Sequence, residues 1–353
     1  MDTDHQPDPA AAAFEALRHD VLGLFPDLTE QARRLGGTET LTRLDTARQR
    51  LTDGRLTVLV CGEFNRGKST LINALLEDPG ALIPVGTTYT TNVVTTITHA
   101  PRERITATVE HLDGSVEERE IERAEIARYG SENDAAPTGG PRSLALRIET
   151  PNPRLTGGLV LVDTPGVGGV HREHTAATAA FLPSADALLF VTDVVKPLTD
   201  SELAFLRRAM KAAHTLDHPG GQIFVLNKTD LLPDHEELLR NTVEKVASTT
   251  GFPPEELTVV AVSAQSMLDH LTTGDPEDLE LSNVSALRAT LWRALARRRA
   301  QLLLGGALSA LDAAAHALAR PLEAEAAALG EHDQTELRRL TERIEEQQRR
   351  LAD

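Results

Sequence analysis

The residues best equipped for chemistry are Gly62-Glu63-Phe64-Asn65-Arg66-Gly67-Lys68-Ser69. Their spacing fits G-x-x-x-x-G-K-[ST], a loop whose backbone N–H groups cradle phosphates. A short apolar run, Leu56 to Cys61, precedes it and reads as a buried parallel strand. Ser69 to Leu76 reads as the opening of an amphipathic helix. Strand, loop and helix N-terminus together make an anion site. The expected nucleotide contacts are Glu63, Asn65, Arg66, Gly67, Lys68, Ser69 and Thr70. Lys68 is expected to reach the β and γ phosphates during catalysis, and the Ser69 hydroxyl to hold Mg2+.

Three further motifs follow, each after a strand-like run. Gly158 to Val162 leads into Asp163-Thr164-Pro165-Gly166. There a carboxylate can hold the metal through water, and the glycine can sense the γ phosphate. Gln222 to Leu226 ends in Asn227-Lys228-Thr229-Asp230, and Thr258 to Val262 in Ser263-Ala264. Asp230 can accept from guanine N1–H and its exocyclic amine, whereas adenine presents neither donor. Charge-assisted bonds contribute roughly 1.5–3 kcal/mol each, so losing two discriminates by several powers of ten. A backbone N–H from Ser263-Ala264 completes the base pocket. Either tetrapeptide alone is a weak signal; four motifs in this order imply a guanine-nucleotide site for GTP and GDP.

The elements that position these motifs alternate in type. Strand-like runs at 93–98, 105–112, 115–121, 144–148 and 187–191, with helices at 199–213 and 236–249, predict a mostly parallel α/β sheet flanked by helices. Asp113-Gly114 marks a hairpin. The loop 82–92 is rich in threonine and reads as a nucleotide-sensing switch, and 131–141, rich in Gly and Pro, as a loop.

Both ends of the chain are helical instead. Phe14, Leu17, Val21, Leu24 and Leu28 form a one-sided stripe, with a break near Gly23 and Pro26. A second helix starts at Thr38 and stops at Gly54. Near the other end, Leu287, Leu291 and Leu295, then Leu304 to Leu322, then Leu337 to Leu351 continue such stripes. The last stripe stops in mid-rhythm, as in a chain cut from a longer protein or one completed by a partner. Gly305-Gly306 reads either as a hinge or as a plain local bend, since each glycine costs a helix about 1 kcal/mol relative to alanine. The expected division is 1–55 for N-terminal helices, 56–283 for the nucleotide domain and 284–353 for a helical segment.

The 353 residues exceed one compact core, and their formal charge of −17 argues against a broad surface for nucleic acid or anionic lipid. The single cysteine, Cys61, excludes an internal disulfide. No uninterrupted apolar run reaches the ~18 residues of a membrane span, and the acidic N-terminus is unlike a signal peptide. A cytoplasmic chain is expected.

The phosphate loop, Asp163-Thr164-Pro165-Gly166 and Asn227-Lys228-Thr229-Asp230 in this layout resemble a dynamin-superfamily GTPase. Leu82-Ile83-Pro84-Val85-Gly86, Thr91-Asn92 and Ala185 to Asp193 are similar to segments of bacterial dynamin-like proteins and mitofusins. The likeness is specific over about residues 56–300. It implies that Thr91 is the switch threonine that coordinates Mg2+ and helps hold the attacking water. It implies too a neck bundle of helices from both chain ends, dimerisation with a like or related GTPase, and a peripheral role at a membrane, through lipid or a membrane-anchored partner.

There are departures. Phe64 and Asn65 stand where dynamins proper carry Gln and Ser, and Val167 cannot orient water as a glutamine would. Slow hydrolysis by an isolated monomer is therefore expected, with Arg66 as the candidate charge stabiliser. A rival reading is an Era-like or ribosome-associated switch. It calls for a basic RNA-binding module after Ser263-Ala264, where an acid-rich, leucine-striped stretch follows. A GTP-binding scaffold without turnover is a third.

Overall fold

The computed structural model describes residues 9–78, 80–85, 93–130, 142–166, 181–182, 185–212, 219–329 and 334–352. These form two compact units, one of residues 56–295 and one of residues 1–55 with 296–353. The first ends inside a helix, Val284–Ala300, where the sequence suggested a limit at 283.

Its strands are β1 (Leu56–Cys61), β2 (Val94–His99), β3 (Arg104–Glu110), β4 (Val116–Ile121), β5 (Arg142–Thr150), β6 (Leu159–Asp163), β7 (Ala187–Asp193), β8 (Gln222–Asn227) and β9 (Thr258–Ala261). They make one nine-stranded sheet in the order β4-β3-β5-β2-β6-β1-β7-β8-β9. From β6 to β9 all neighbours are parallel. β6, β7 and β8 are buried along their whole length, as strands covered on both faces must be. The sheet is thus α/β and mostly parallel. Its other half is mixed, because β2 runs antiparallel to β6 and β3 antiparallel to both β4 and β5. At the edge, β4 carries Glu117, Glu118, Arg119 and Glu120, charges that discourage pairing with another chain. The β3–β4 turn centres on Asp113 and Gly114, where φ is 80° and Asp113 Oδ1 accepts from the Ser115 N–H at 2.9 Å.

Under the parallel half lies a core that includes Leu59, Leu188, Phe190, Phe205 and Phe224. The Phe190 ring sits 6.4 Å from Phe205 and 6.0 Å from Phe224. With aromatics at 3% of the chain, these three rings carry a large share of the bulk on this side of the sheet.

The second unit is helical. The expected break at Gly23 and Pro26 separates two helices, Pro9–Leu22 and Phe25–Arg34, with Pro26 in the opening turn of the second, where its missing N–H is harmless. Thr38–Asp53 follows and stops at Gly54 in the left-handed conformation. Gly306–Leu329 packs against Gln334–Ala352, Thr38–Asp53 and Phe25–Arg34. Val21, Leu28, Leu44, Leu308, Leu311, Leu340 and Ile344 are among the side chains buried there. Arg299 lies over the Phe14 ring at 5.1 Å, a cation on an aromatic face.

At Gly305-Gly306 the chain stays helical. Gln301–Gly305 forms a π turn, and Gly306 has ordinary α geometry at φ −62° and ψ −42°. The helical run Val284–Arg320 also contains an 18-residue window of mean hydropathy 1.5, long and apolar enough by length and composition to cross a membrane. Half of that window is buried inside the protein, and a core helix meets the same criterion.

Phe190→Ala should remove the centre of the aromatic cluster and destabilise the sheet unit by about 3–5 kcal/mol. Denaturant unfolding followed by far-UV dichroism would measure this, and a loss under about 1 kcal/mol would show that the cluster is not a keystone.

Candidate functional site

Every motif chosen from the sequence within the described residues lies at the carboxyl end of one of the parallel strands. The phosphate loop leaves β1, Asp163 ends β6, Asn227 ends β8, and Ser263 follows β9. This is the side on which open α/β sheets hold ligands.

Loop geometry is fixed by close backbone approach. Gly62 has φ 153°, and a Cβ there would lie 2.1 Å from the carbonyl oxygen of Val191 on β7. At Gly67, φ is 82° and a Cβ would lie 2.5 Å from Asn227 Nδ2. Asn65 takes the left-handed conformation at φ 58°. After Gly67 the helix Lys68–Leu76 begins without any side-chain cap, so its opening N–H groups face the loop. Lys68 Nζ donates to the carbonyls of Gly62 at 3.2 Å and Glu63 at 3.0 Å. Burial pushes its pKa below the ordinary lysine value, although Asp163 and other nearby negative groups oppose this.

Ser69 Oγ donates to Asp163 Oδ2 at 2.7 Å. A hydroxyl and a fully buried carboxylate thus meet at the helix N-terminus. Both are hard oxygen donors, and two protein ligands suffice for Mg2+, which keeps several waters and takes others from phosphate. Among the described residues no group of three or more His, Cys, Asp or Glu side chains gathers for a metal. Ser69 and Asp163 are thus donors of the type that Mg2+ takes. Thr164 Oγ1 donates to the Val60 carbonyl at 2.9 Å, tying β6 to β1. Gly166 lies against the loop: a Cβ there would be 2.7 Å from the Phe64 nitrogen. Thr91, the expected switch threonine, lies outside the described residues, as do the Thr87–Thr91 loop and Val167. The chain entering that segment is fixed by Asn73, whose amide exchanges two hydrogen bonds with the Ile83 backbone, at 2.7 and 2.9 Å.

The base-reading motif is joined directly to the phosphate loop. Asn227 Nδ2 donates to the Arg66 carbonyl at 3.0 Å, while its Oδ1 accepts from the Ala264 N–H at 3.2 Å. Lys228, left-handed at φ 64°, donates to the Asn65 carbonyl at 2.5 Å and to Asp193 Oδ2 at 3.1 Å. Asp230 Oδ1 accepts from Ser263 Oγ at 2.6 Å, and Ser263 also caps its helix by accepting from the Ser266 N–H at 3.0 Å. Asn227, Lys228, Asp230, Ser263 and Ala264 thus form one connected group with Asn65, Arg66 and Gly67.

Arg66, the candidate charge stabiliser, is held by three carboxylates. Its Nη1 donates to Asp193 at 2.9 Å, its Nε to Glu202 at 3.1 Å and its Nη2 to Glu63 at 2.9 Å. The side chain is 7% exposed. A guanidinium engaged by three carboxylates must abandon them before it can stabilise charge on a phosphate. Burial works against its charge, but Glu202, Asp193 and Glu63 together hold its pKa above the usual arginine value. Asp193 and Glu202 were not singled out as site residues, because nothing in their local spacing shows that a distant arginine converges on them.

Residues 58–229 match the profile of the Dynamin family. The chain belongs to the dynamin superfamily. It is 32% identical over 290 residues to the isoniazid-induced protein IniA of Mycobacterium tuberculosis, an alignment covering 81% of this chain and 43% of that relative. Bacterial dynamin-like protein of Nostoc punctiforme is 24% identical over 261 residues, covering 69% of this chain and 35% of the relative. In fold, this dynamin-superfamily chain is similar to a chain from the structure of an oligomerised bacterial dynamin pair. That match has TM-score 0.61 and 18% identity, covering 88% of this chain and 48% of the other. The chain therefore spans less than half the length of each of these relatives.

Gly62→Ala should place a methyl group against the Val191 carbonyl and cost about 3 kcal/mol or more. Thermal unfolding should reveal a lowered midpoint together with lost binding of a fluorescent guanine nucleotide. A variant that binds normally would show that the loop tolerates another path past β7.

Proposed function

We propose that the chain binds GTP with Mg2+ and hydrolyses it to GDP and phosphate. The observation that carries this reading is the single connected group in which Asn227 and Lys228 bond the phosphate-loop carbonyls while Ser263 holds Asp230. That connection supports the reading, because one nucleotide needs its base reader and its phosphate loop at a fixed separation. Asp230 reads the guanine edge, Asn227 fixes the two loops, and Ala264 contributes the base pocket's backbone. The N–H groups of the phosphate loop, from Glu63 to Thr70, hold the phosphates, and Lys68 turns from its carbonyl partners to them. Ser69 and, through water, Asp163 hold Mg2+, with Thr91 as a further ligand. When bound, that ion neutralises charge developing on the β and γ phosphate oxygens.

With no glutamine following Gly166 and with Arg66 engaged, water positioning falls to the Thr87–Thr91 segment and to a second GTPase domain facing the first. Dimerisation with a like or related chain completes the site and excludes bulk water. The helices from both chain ends act as a neck that carries the change to a membrane at the cytoplasmic side, for fusion, fission or septum-related remodelling. The solved bacterial dynamin pair is described as sensing and tethering membranes at long range, which supports this direction. The stretch that follows Ser263-Ala264 is acid-rich and leucine-striped, which disfavours the Era-like switch.

Asp230→Asn should weaken GTP binding by about a hundredfold or more and favour xanthosine triphosphate, whose extra carbonyl accepts from the asparagine amide. Calorimetry with both nucleotides decides it, since an unchanged preference for GTP would remove Asp230 from the base pocket. Separately, GDP with aluminium fluoride should shift the protein from monomer to dimer in light scattering. A monomer under GDP, GTP and the mimic alike would defeat the homodimer.

A further inference from the structure

We infer that Glu202, outside every nucleotide motif, positions the phosphate loop through Arg66, so that the start of the Asp200–Ala212 helix sets nucleotide affinity. This rests on the GTP-binding reading above. Thr199-Asp200-Ser201-Glu202 is a capping box in sequence and in structure. The Glu202 N–H donates to Thr199 Oγ1 at 3.2 Å, and the Thr199 N–H donates back to Glu202 Oε2 at 2.9 Å. Such a glutamate ordinarily lies at a helix surface. Glu202 is 0% exposed, because its carboxylate reaches inward as well. Oε1 accepts from Arg66 Nε at 3.1 Å and from the Glu63 N–H at 3.4 Å, and Oε2 accepts from Arg66 Nη2 at 3.3 Å.

The grip is reciprocal. Glu63, within the phosphate loop, accepts from Thr199 Oγ1 at 2.7 Å and from the Ser201 hydroxyl. Loop and helix therefore complete each other's polar groups, and neither can shift alone without exposing a buried charge. Arg66 also lends its backbone carbonyl to Asn227, so the guanidinium's anchorage fixes a peptide of the loop that faces the nucleotide. Capping itself does not require charge, since glutamine serves at the same position of a capping box. Pairing with a buried guanidinium does. That difference separates a positioning role from a merely structural one.

The test is Glu202→Gln in the full chain, read by stopped-flow dissociation of a fluorescent N-methylanthraniloyl GTP. Glutamine keeps the cap, and the dissociation rate should nevertheless rise by about tenfold, the scale of one charge-assisted hydrogen bond. Made in an Arg66→Gln background, the same change should add no further acceleration, because Glu202 then has no guanidinium to act through. An unchanged rate in the single variant, or additive acceleration in the double variant, overturns the inference. If Glu202→Gln does not fold, Glu202→Asp retains the charge at shorter reach; a several-fold rise supports the inference and no change overturns it. A wild-type protein that binds no guanine nucleotide would overturn the GTP reading itself. Normal wild-type binding with an indifferent Glu202 would defeat this inference alone.

Discussion

Arg66 is a cation in a place nearly closed to water, and the arrangement around it follows from that expense. An unpaired guanidinium there would cost several kcal/mol, so carboxylates must converge on it from wherever the chain can supply them. Glu63 comes from its own loop, Asp193 from the end of β7, and Glu202 from the helix that follows. Asp193 then draws in Lys228 from the end of β8. Burial works against ionisation of Asp193, yet the Lys196 N–H, Arg66 and Lys228 together hold its pKa below the ordinary carboxylate value. For Glu202 burial prevails and its pKa is raised, with Arg66 opposing. One desolvated charge thus fastens three neighbouring strand ends, β1, β7 and β8, to each other.

Those ends are neighbours because of parallel pairing. Asp193 on β7 is in register with Asn227 on β8, and Cys61 on β1 with Phe190 on β7. Parallel strands deliver all their carboxyl termini to one side, and the glycines at 62 and 67 let the loop pass where any side chain would collide with backbone or with Asn227. The site is therefore a property of the sheet's register as much as of its motifs.

Much of this was legible in the sequence, for a physical reason. A phosphate loop has to be written in consecutive residues, because its chemistry comes from successive backbone N–H groups; the same holds for Asn227 to Asp230. β1, β6, β7 and β8 announced themselves as apolar runs with little alternation, as strands covered on both faces do. The reversed direction of β2 against β6 was not legible, since an antiparallel pair inside such a sheet has no local signature. Nor was the engagement of Arg66, because two of its three partners lie 127 and 136 positions away. Thr199-x-x-Glu202 stood in plain view as a helix start, but its second task depends on burial that only the folded chain creates. At the ends of the chain, the break near Gly23 and Pro26 was legible, but not that Pro26 would sit inside the opening turn of the next helix, since proline suits a first turn as well as it ends a last one.

The π turn at Gln301–Gly305 alters the helical phase. Leu302, Leu303 and Leu304 are all buried, three in succession, which a regular helix with one covered face does not permit. The widened turn absorbs one additional residue, and each residue of an α-helix corresponds to about 100° of rotation. Deleting one residue there would restore an unbroken α-helix at the cost of rotating Leu308, Leu311, Ala315 and Leu318 away from the partners they now face. Chain length in this turn is thus under a geometric constraint of its own, one that no substitution at a single buried leucine would reveal.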